Sequence, residues 1–190
     1  MVLLHTCCAP CSIMCVEGLL GEGIRPVLFW YNPNIHPFTE YQNRKDTLTQ
    51  YARTHNLELV LQDEYGLRSF ITGIYPGFDR RCAFCYRLRL EKTAARAAEQ
   101  GFAAFSTTLL ISPYQNHDLI RETGREAAER HGVEFLYRDF RPRFREGQAA
   151  ARGSGFYTQK YCGCIFSEEE RYLKAPGRGP LPWFPSHGML

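Results

Sequence analysis

The chain has 190 residues, of which 44% are hydrophobic and 23% charged, and its formal net charge is +3. This length favours one domain that can bury a core, and the small net charge excludes a polycation that binds nucleic acid through its overall charge. No apolar run approaches the roughly 20 residues that span a bilayer, and the first residues lack the basic and apolar regions of a signal peptide. We therefore expect a cytoplasmic protein without a membrane partner.

The hydrophobic pattern predicts strands that alternate with helices. In chain order we predict strand 2–6, a helix capped by Ser12 and ending near 21, strand 25–31, loop 32–37, a helix ending near 56, strand 57–61, loop 73–81, helix 82–100, strand 103–111, helix 116–131, strand 133–137, an irregular basic segment 138–155 and helix 167–173. This order predicts an α/β fold, with a mostly parallel five-stranded sheet and helices on both faces. We assign 1–173 to a single domain and 174–190 to a Pro/Gly-rich C-terminal tail.

The eight cysteines fall into three tight groups: Cys7, Cys8, Cys11 and Cys15; Cys82 and Cys85; Cys162 and Cys164. In a chain without export features, thiols this close together usually bind a metal or carry out redox chemistry. The first group follows the first predicted strand, at the edge where parallel sheets bind ligands. We therefore predict a cysteine-rich metal site at the carboxyl ends of the strands.

Two of these groups contain a Cys-x-x-Cys pair, at Cys8–Cys11 and Cys82–Cys85. Two such pairs in one chain indicate a metal site, and their spacing fits an iron–sulfur cluster as readily as zinc. The first pair also fits a thioredoxin-like dithiol, because it lies between a predicted strand and a predicted helix. Cys15 lies one helical turn beyond Cys11, and we interpret it as a buried core thiol.

The third group, Cys162-Gly163-Cys164, has only one residue between its thiols. A disulfide across this spacing would close a small, strained ring, and strained disulfides are the reducible, catalytic kind. Gly163 permits the backbone conformations that such a ring needs. The alternative is that both thiols are ligands of a second metal.

Two polar features follow the fifth predicted strand. Four arginines lie within eight residues: Arg138, Arg141, Arg143 and Arg145. Their guanidinium groups match phosphate geometry, although an ordinary solvated surface explains the cluster equally well. Asp139 lies at the ligand-binding edge of the predicted sheet, which favours a metal ligand or a proton donor.

Four motifs together resemble one known family. They are Leu3-Leu4-His5-Thr6-Cys7-Cys8-Ala9-Pro10-Cys11, Tyr31-Asn32-Pro33-Asn34-Ile35-His36-Pro37, Arg81-Cys82-x-x-Cys85-Tyr86-x-x-Arg89-Leu90 and Tyr161-Cys162-Gly163-Cys164-Ile165-Phe166-Ser167. In this order they resemble the QueH family of epoxyqueuosine reductases, and the similarity extends from residue 2 to about residue 173.

The resemblance implies a HUP-type (Rossmann-like) α/β domain and the last step of queuosine synthesis in tRNA. In that step the epoxide of epoxyqueuosine, at the wobble position of a tRNA with a GUN anticodon, is reduced to the alkene. The resemblance also implies a 4Fe–4S cluster held by Cys7, Cys8, Cys82 and Cys85, a redox-active Cys162–Cys164 pair, and a second iron beside the cluster. The electron donor is not indicated.

This chemistry needs two electrons and a group that holds the departing oxygen. Because a cluster passes one electron at a time, a dithiol or a second iron would be a useful second store. We assign catalysis to Cys162, Cys164, Cys11 and Asp139, and contacts with tRNA phosphates to Arg141, Arg143 and Arg145. Three aromatic residues could stack on RNA bases: Tyr86, Tyr114 and Phe156. The rival functions are a zinc-stabilised RNA-binding module and a thiol–disulfide oxidoreductase.

Overall fold

A computed structural model describes residues 1–173, and the predicted tail 174–190 lies outside the described residues. The elements in chain order are β1 (Val2–His5), α1 (Ala9–Gly21), β2 (Pro26–Trp30), α2 (Phe38–Thr54), β3 (Leu59–Leu61), α3 (Leu67–Ile74), α4 (Arg81–Glu99), β4 (Ala104–Thr107), α5 (His117–His131), β5 (Glu134–Phe135), α6 (Phe144–Gly153) and α7 (Ile165–Tyr172). Among the described residues, no helix combines the length and the apolar character that a membrane span requires.

The five strands form one parallel sheet in the order β3-β2-β1-β4-β5, which confirms the predicted fold class. At the carboxyl end of β1, His5 is in register with Phe29 of β2 and Thr107 of β4. The strand order reverses direction between β1 and β4, and ligands of such sheets bind in the crevice outside the strands at this switch point. The cysteines that follow β1 therefore emerge at this crevice.

Helices cover both faces of the sheet, as predicted. On one face α1 packs against α2, α6 and β2, and on the other α4 packs against β1, β4 and α5. The central strands are buried from both sides, which explains why their sequences are continuous apolar runs. Leu3, Leu4, Leu28, Phe29 and Phe105 are fully enclosed.

The first helix begins earlier than predicted, and Ser12 is not its N-cap. Cys8 occupies the N-cap position, and Pro10 lies in the first turn, where the missing N–H costs nothing. The Ser12 hydroxyl instead donates to the Cys8 carbonyl at 2.8 Å, inside the helix. The helix thus starts within the cysteine motif and fixes the backbone of Cys8 and Cys11.

The fourth strand is shorter than predicted, because β4 ends at Thr107 and a 3₁₀ turn occupies 108–111. The Thr107 hydroxyl accepts a hydrogen bond from the Leu109 amide at 3.2 Å and caps that turn. The third and fifth strands are also shorter than predicted. The Asn116 side chain caps the start of α5. Helix α7 begins two residues before the predicted position.

Two helices lie where the sequence predicted irregular chain. The predicted loop 73–81 contains the end of α3 and a 3₁₀ turn, and the predicted irregular segment 138–155 contains α6. Gly147 and Ala151 of α6 are buried. A Cβ at Gly147 would lie 3.1 Å from Met14 Cγ, so α6 approaches α1 closely. This helix depends on tertiary packing, which its arginine-rich sequence does not reveal.

Candidate active site

A cavity of about 470 Å³ opens at the carboxyl edge of the sheet. Cys7 and Cys11 line its inner part and are each only 7% exposed. Thr108, which follows β4, lies beside them, and Cys162 reaches the same cavity from far along the chain. The fold therefore brings the first and third cysteine groups to one cavity.

Three thiols of the first group lie close together. The sulfurs of Cys7, Cys8 and Cys11 are all within 4.8 Å of one another, and Cys7 Sγ lies 3.8 Å from Cys8 Sγ. All three residues are buried. The adjacent pair Cys7–Cys8 and the Cys-x-x-Cys pair Cys8–Cys11 thus belong to one group of sulfurs. Cys15 is instead a fully enclosed core thiol, as predicted.

The environment of these thiols separates their pKa values. Hydrogen bonds from the thiols of Cys11 and Cys8, and from the Thr108 hydroxyl, hold the pKa of Cys7 well below its usual range. Burial raises the pKa of Cys8, and the neighbouring sulfurs together with burial raise that of Cys11. These hydrogen bonds favour the thiolate form of Cys7, which is the form that binds metals.

The second cysteine pair lies at the start of α4, with Cys82 exposed and Cys85 buried. Among residues 1–173, the tight group of three sulfurs does not include either of them. The buried Arg89 donates from Nη2 to Cys85 Sγ at 3.1 Å. Burial alone would lower the pKa of Arg89, but the charges of Cys85, Cys162 and Cys7 raise it overall. Arg89 is thus an electrostatic neighbour of one cysteine from each of the three groups.

Hydrogen bonds to the backbone hold the Cys162-Gly163-Cys164 segment in place. Arg44 of α2, only 1% exposed, donates to the carbonyls of Cys162 and Tyr161 at 2.8 and 2.9 Å. The Gly163 carbonyl accepts from the His36 amide at 2.8 Å. Gly163 has φ of +149°, and a Cβ there would lie 3.2 Å from Ile35, so the position requires glycine.

All eight cysteines are free thiols, including Cys162 and Cys164. Cys162 lines the cavity, and the burial of its sulfur among neighbouring groups raises the pKa of the thiol. Cys164 is buried and packs with Cys85, Phe70 and Ile74. The third group therefore lies next to the second.

Two glutamine amides contact sulfurs at the cavity. Gln115 donates to Cys162 Sγ at 3.3 Å, and its Oε1 accepts from the Tyr86 hydroxyl at 2.8 Å. Gln159 donates to Cys11 Sγ at 3.5 Å, and its Oε1 is buried without a partner. A buried polar atom without a partner costs roughly 1–3 kcal/mol, and such atoms are rare in native structures. The amides place hydrogen-bond donors against two of the thiols.

A neutral histidine braces the ends of three strands. His5 Nδ1 lies 2.9 Å from Thr107 Oγ1, and its Nε2 lies 3.2 Å from Asn32 Oδ1. Burial, reinforced by the charge of Arg89, lowers the pKa of His5 to about 4. Because Asn32 also donates to the Thr6 carbonyl at 2.8 Å, this network fixes the backbone from which Cys7 and Cys8 follow.

Asp139 lies in an ion pair rather than at the cavity. Its carboxylate accepts from Arg141 at 2.6 and 2.8 Å, and these hydrogen bonds lower the pKa of Asp139 to about 2. The carboxylate is therefore ionised near neutral pH and holds no proton to donate. This environment argues against a proton donor, and the assigned role of Asp139 otherwise stays a prediction.

The predicted phosphate-binding arginines lie on the surface beside the site. Arg143 pairs with Glu17 and Glu146, and Arg145 is exposed. Phe144, which lies between them, lines the cavity. The basic segment thus borders the cavity, and its contact with tRNA remains a prediction.

The other predicted residues have different surroundings. His36 is fully buried, with Nε2 3.0 Å from the Pro33 carbonyl and Nδ1 accepting from the Ile165 amide, so both ring nitrogens have partners within the protein. Tyr86 and Phe156 are buried, whereas Tyr114 is 83% exposed and lines the cavity. Of the three candidate stacking residues, only Tyr114 is accessible to a ligand.

Arg44, Thr108, Gln115 and Gln159 are site residues that the sequence analysis did not identify. Gln115 follows the predicted fourth strand at the ligand-binding edge, so its position was a usable signal. Thr108 gave no such signal, because it lay inside the predicted strand 103–111. Arg44 gives no such signal, because a single arginine in a polar helix normally faces solvent.

The thiol group fits a metal centre that uses soft ligands. Within residues 1–173, the close group Cys7, Cys8 and Cys11 contains sulfur alone, without carboxylate or imidazole. Thiolate ligands favour zinc, copper(I) and iron–sulfur clusters over hard cations such as magnesium. The donor set therefore fits the iron–sulfur cluster implied by the sequence resemblance.

Comparison with a solved structure supports the fold alone. The chain superposes with a TM-score of 0.51 and 13% identity on a structure described as a predicted subunit of tRNA methyltransferase from Methanocaldococcus jannaschii, over 80% of this chain and 75% of that one. At this identity the similarity carries no information about activity.

Comparison with sequences identifies the family. The profile of the family described as "Epoxyqueuosine reductase QueH" matches residues 2–170. Proteins named Epoxyqueuosine reductase QueH from Dehalococcoides mccartyi and Thermotoga maritima are each 36% identical, and the alignments cover 91% of this chain and 95% and 93% of those proteins. The protein of that name from Acinetobacter baylyi is also 36% identical, over 93% of this chain and 85% of its own length. With the motifs and the thiol-lined cavity at the switch point, these matches show that the chain belongs to the QueH family of epoxyqueuosine reductases.

Proposed function

We propose that this protein reduces the epoxide of epoxyqueuosine at the wobble position of a tRNA with a GUN anticodon. The observation that carries the proposal is that Cys7, Cys11 and Cys162 line one cavity at the switch point of the sheet. Thiols that meet from distant parts of a chain in a ligand-sized cavity are typical of a redox active site rather than of a structural zinc site, whose ligands are closed off from substrate. Family membership favours the reductase over both rival functions.

We assign Cys7, Cys8, Cys82 and Cys85 as the ligands of a 4Fe–4S cluster. When bound, this cluster would supply electrons one at a time at a potential set by its protein surroundings. Arg89 would orient the Cys85 ligand, since it donates to that sulfur. Cys11 would remain free to face the substrate, because it lies in the cavity wall but outside this ligand set.

The Cys162–Cys164 dithiol balances the reaction. Conversion of an epoxide to an alkene and water consumes two electrons and two protons. Oxidation of two thiols to one disulfide releases two electrons and two protons. Cys162 is placed to act first, because it lines the cavity and accepts a hydrogen bond from Gln115. An external electron donor, which we do not identify, would then restore the dithiol. In the competing assignment, both thiols are ligands of a second iron.

The partner and compartment follow from this chemistry. The substrate base must leave the anticodon loop to enter a cavity, as other single-stranded bases do. Arg141, Arg143 and Arg145 lie on the segment that contains the cavity-lining Phe144 and would contact the backbone phosphates. Because tRNA is the substrate and closely spaced thiols without export features are typical of a reducing compartment, we place the protein in the cytoplasm.

Anaerobic assays of Cys162→Ser and Cys164→Ser test the electron relay. With a stem–loop RNA that carries epoxyqueuosine, each variant should keep its iron content and RNA affinity but lose multiple turnover, whereas Cys15→Ser should turn over normally. A loss of one iron per chain in the double variant would instead establish the ligand role, and full activity would exclude both assignments. Failure of the wild-type chain to convert the RNA would overturn the reductase function itself.

A further inference from the structure

Tyr114 has the most exposed large hydrophobic side chain among the described residues. It is 83% exposed and lies on the short segment between the 3₁₀ turn after β4 and the start of α5. Its ring meets the ring of Phe144 edge to face, with centroids 5.9 Å apart and planes at 85°. A T-shaped contact of this kind occupies at most one face of the tyrosine, so a flat aromatic surface is left in solvent.

The exposed ring stands at the rim of the thiol-lined cavity. Lys160 and Arg171, both exposed, line the same rim, and the one acidic side chain in the lining, Glu170, forms an ion pair with Arg81. Cys7 and Cys11 at the inner end are 7% exposed. The cavity therefore leads from an aromatic and cationic rim to a floor of thiols. Its volume, about 470 Å³, falls within the roughly 300–1,000 Å³ of small-molecule sites.

We propose that Tyr114 is the stacking platform for the substrate base. The modified wobble base would lie on the free face of Tyr114 at the rim, and the substituent that carries its epoxide would point inward to the thiols. Stacking suits a base that has left its helix, because every base presents a π-face and exposed aromatics are the usual platforms for single-stranded RNA. Lys160 and Arg171 would meet the flanking phosphates. This inference rests on the proposed function and adds a binding residue to it.

Binding measurements on two RNAs isolate this contact. The probes are an anticodon stem–loop with epoxyqueuosine at the wobble position and the same stem–loop with an abasic wobble nucleotide, titrated anaerobically by fluorescence anisotropy. Tyr114→Ala should weaken binding of the first RNA about tenfold, since stacking on an aromatic side chain contributes roughly this much or more. It should leave binding of the abasic RNA unchanged, and Tyr114→Phe should bind both as the wild type does.

Tyr75 supplies a matched control, because it is 71% exposed but lines a different groove. Tyr75→Ala should bind both RNAs normally, and iron content and melting temperature should be the same in all variants. Equal losses on both RNAs would overturn the proposal in favour of a backbone contact. If Tyr114→Ala keeps its RNA affinity but is reduced more slowly by an electron donor, the proposal is overturned, and Tyr114 instead contacts a donor protein. If the wild-type chain binds the RNA but does not convert it, the proposed reductase function is wrong. The stacking proposal is then still decided by the two binding measurements.

Discussion

Cys85 Sγ lies 3.1 Å from a nitrogen of Arg89, whereas Cys15 is fully enclosed in the core. Burial raises the pKa of Cys85 to about 12 and also raises that of Cys15, so neither thiol ionises readily by itself. The difference is that Cys85 has the buried cation of Arg89 beside it, which would stabilise negative charge on its sulfur in the proposed ligand role. Donors to ligand sulfurs orient the ligand and tune the metal.

At this scale we predict that Cys82→Ser/Cys85→Ser abolishes the visible absorbance of the cluster after anaerobic purification. The reason is that serine oxygen replaces two of the four assigned thiolate ligands. Cys15→Ser is the control and should keep the chromophore, although a buried hydroxyl without a partner would lower its stability by about 1–3 kcal/mol. A chromophore that survives in the double variant would show that the assigned ligand set is wrong.

The second helix, the loop 32–37 and the segment 161–165 depend on one another. Arg44 pairs with Glu40 at 2.6 Å while it donates to the Tyr161 and Cys162 carbonyls. The Tyr161 hydroxyl in turn donates to the His36 carbonyl at 2.7 Å. Because a planar guanidinium supplies several donors in a fixed geometry, one side chain can hold both carbonyls and a carboxylate. These contacts position Cys162 at the cavity.

At the scale of elements we predict that Arg44→Met loosens the Cys162-Gly163-Cys164 segment. Removing the arginine leaves the buried carboxylate of Glu40 without its cationic partner, although the Tyr157 hydroxyl still donates to it. Loss of one partner of a buried ion pair costs about 3–5 kcal/mol. Hydrogen exchange should become faster at the His36 amide, which donates to the Gly163 carbonyl. Arg44→Lys should show a smaller effect than Arg44→Met, because lysine keeps a positive charge beside Glu40. It should still differ from the wild type, since one ammonium group cannot reproduce the fixed donor geometry of a guanidinium group.

Arg53, an exposed arginine of the same helix, is the control. Arg53→Met should leave exchange at His36 unchanged. If Arg44→Met leaves it unchanged as well, the segment is held by its other contacts and Arg44 does not position it.

Over the whole molecule, the basic segment after β5 lies at the same edge of the sheet as the cavity. The Phe140 amide donates to the Leu110 carbonyl, which anchors the start of this segment beside the 3₁₀ turn after β4. Arg141 and Arg143 form ion pairs in the free protein. Exposed pairs of this kind contribute only about 0–1 kcal/mol, so phosphates can replace the carboxylates at little cost.

We predict that Arg141→Glu/Arg143→Glu weakens tRNA binding and reduces the slope of log affinity against log salt by about 2. The reason is that each phosphate contact releases roughly one counterion. The iron content should not change. The control is Arg25→Glu/Arg53→Glu, which makes the same change in charge at exposed positions near the start of β2 and the end of α2. Equal slopes for the two double variants would leave the basic segment as ordinary surface.

The sequence by itself determined the α/β class, the alternation of elements and the grouping of the cysteines. Apolar runs such as Val2–His5 and Pro26–Trp30 predict buried parallel strands because they are apolar on both faces. Motif order identified the family, since closely spaced cysteines and their neighbours are local patterns that can be read along the chain.

Tertiary structure alone decided which thiols meet and what surrounds them. The start of α1 at Ala9 and the helical state of α6 depend on packing between elements, as α6 shows through the close approach of Gly147 to Met14. Arg44 reaches Cys162 across 118 positions of the chain. Contacts of this kind are set by how the helices and loops pack at the sheet edge, and residue spacing does not encode them.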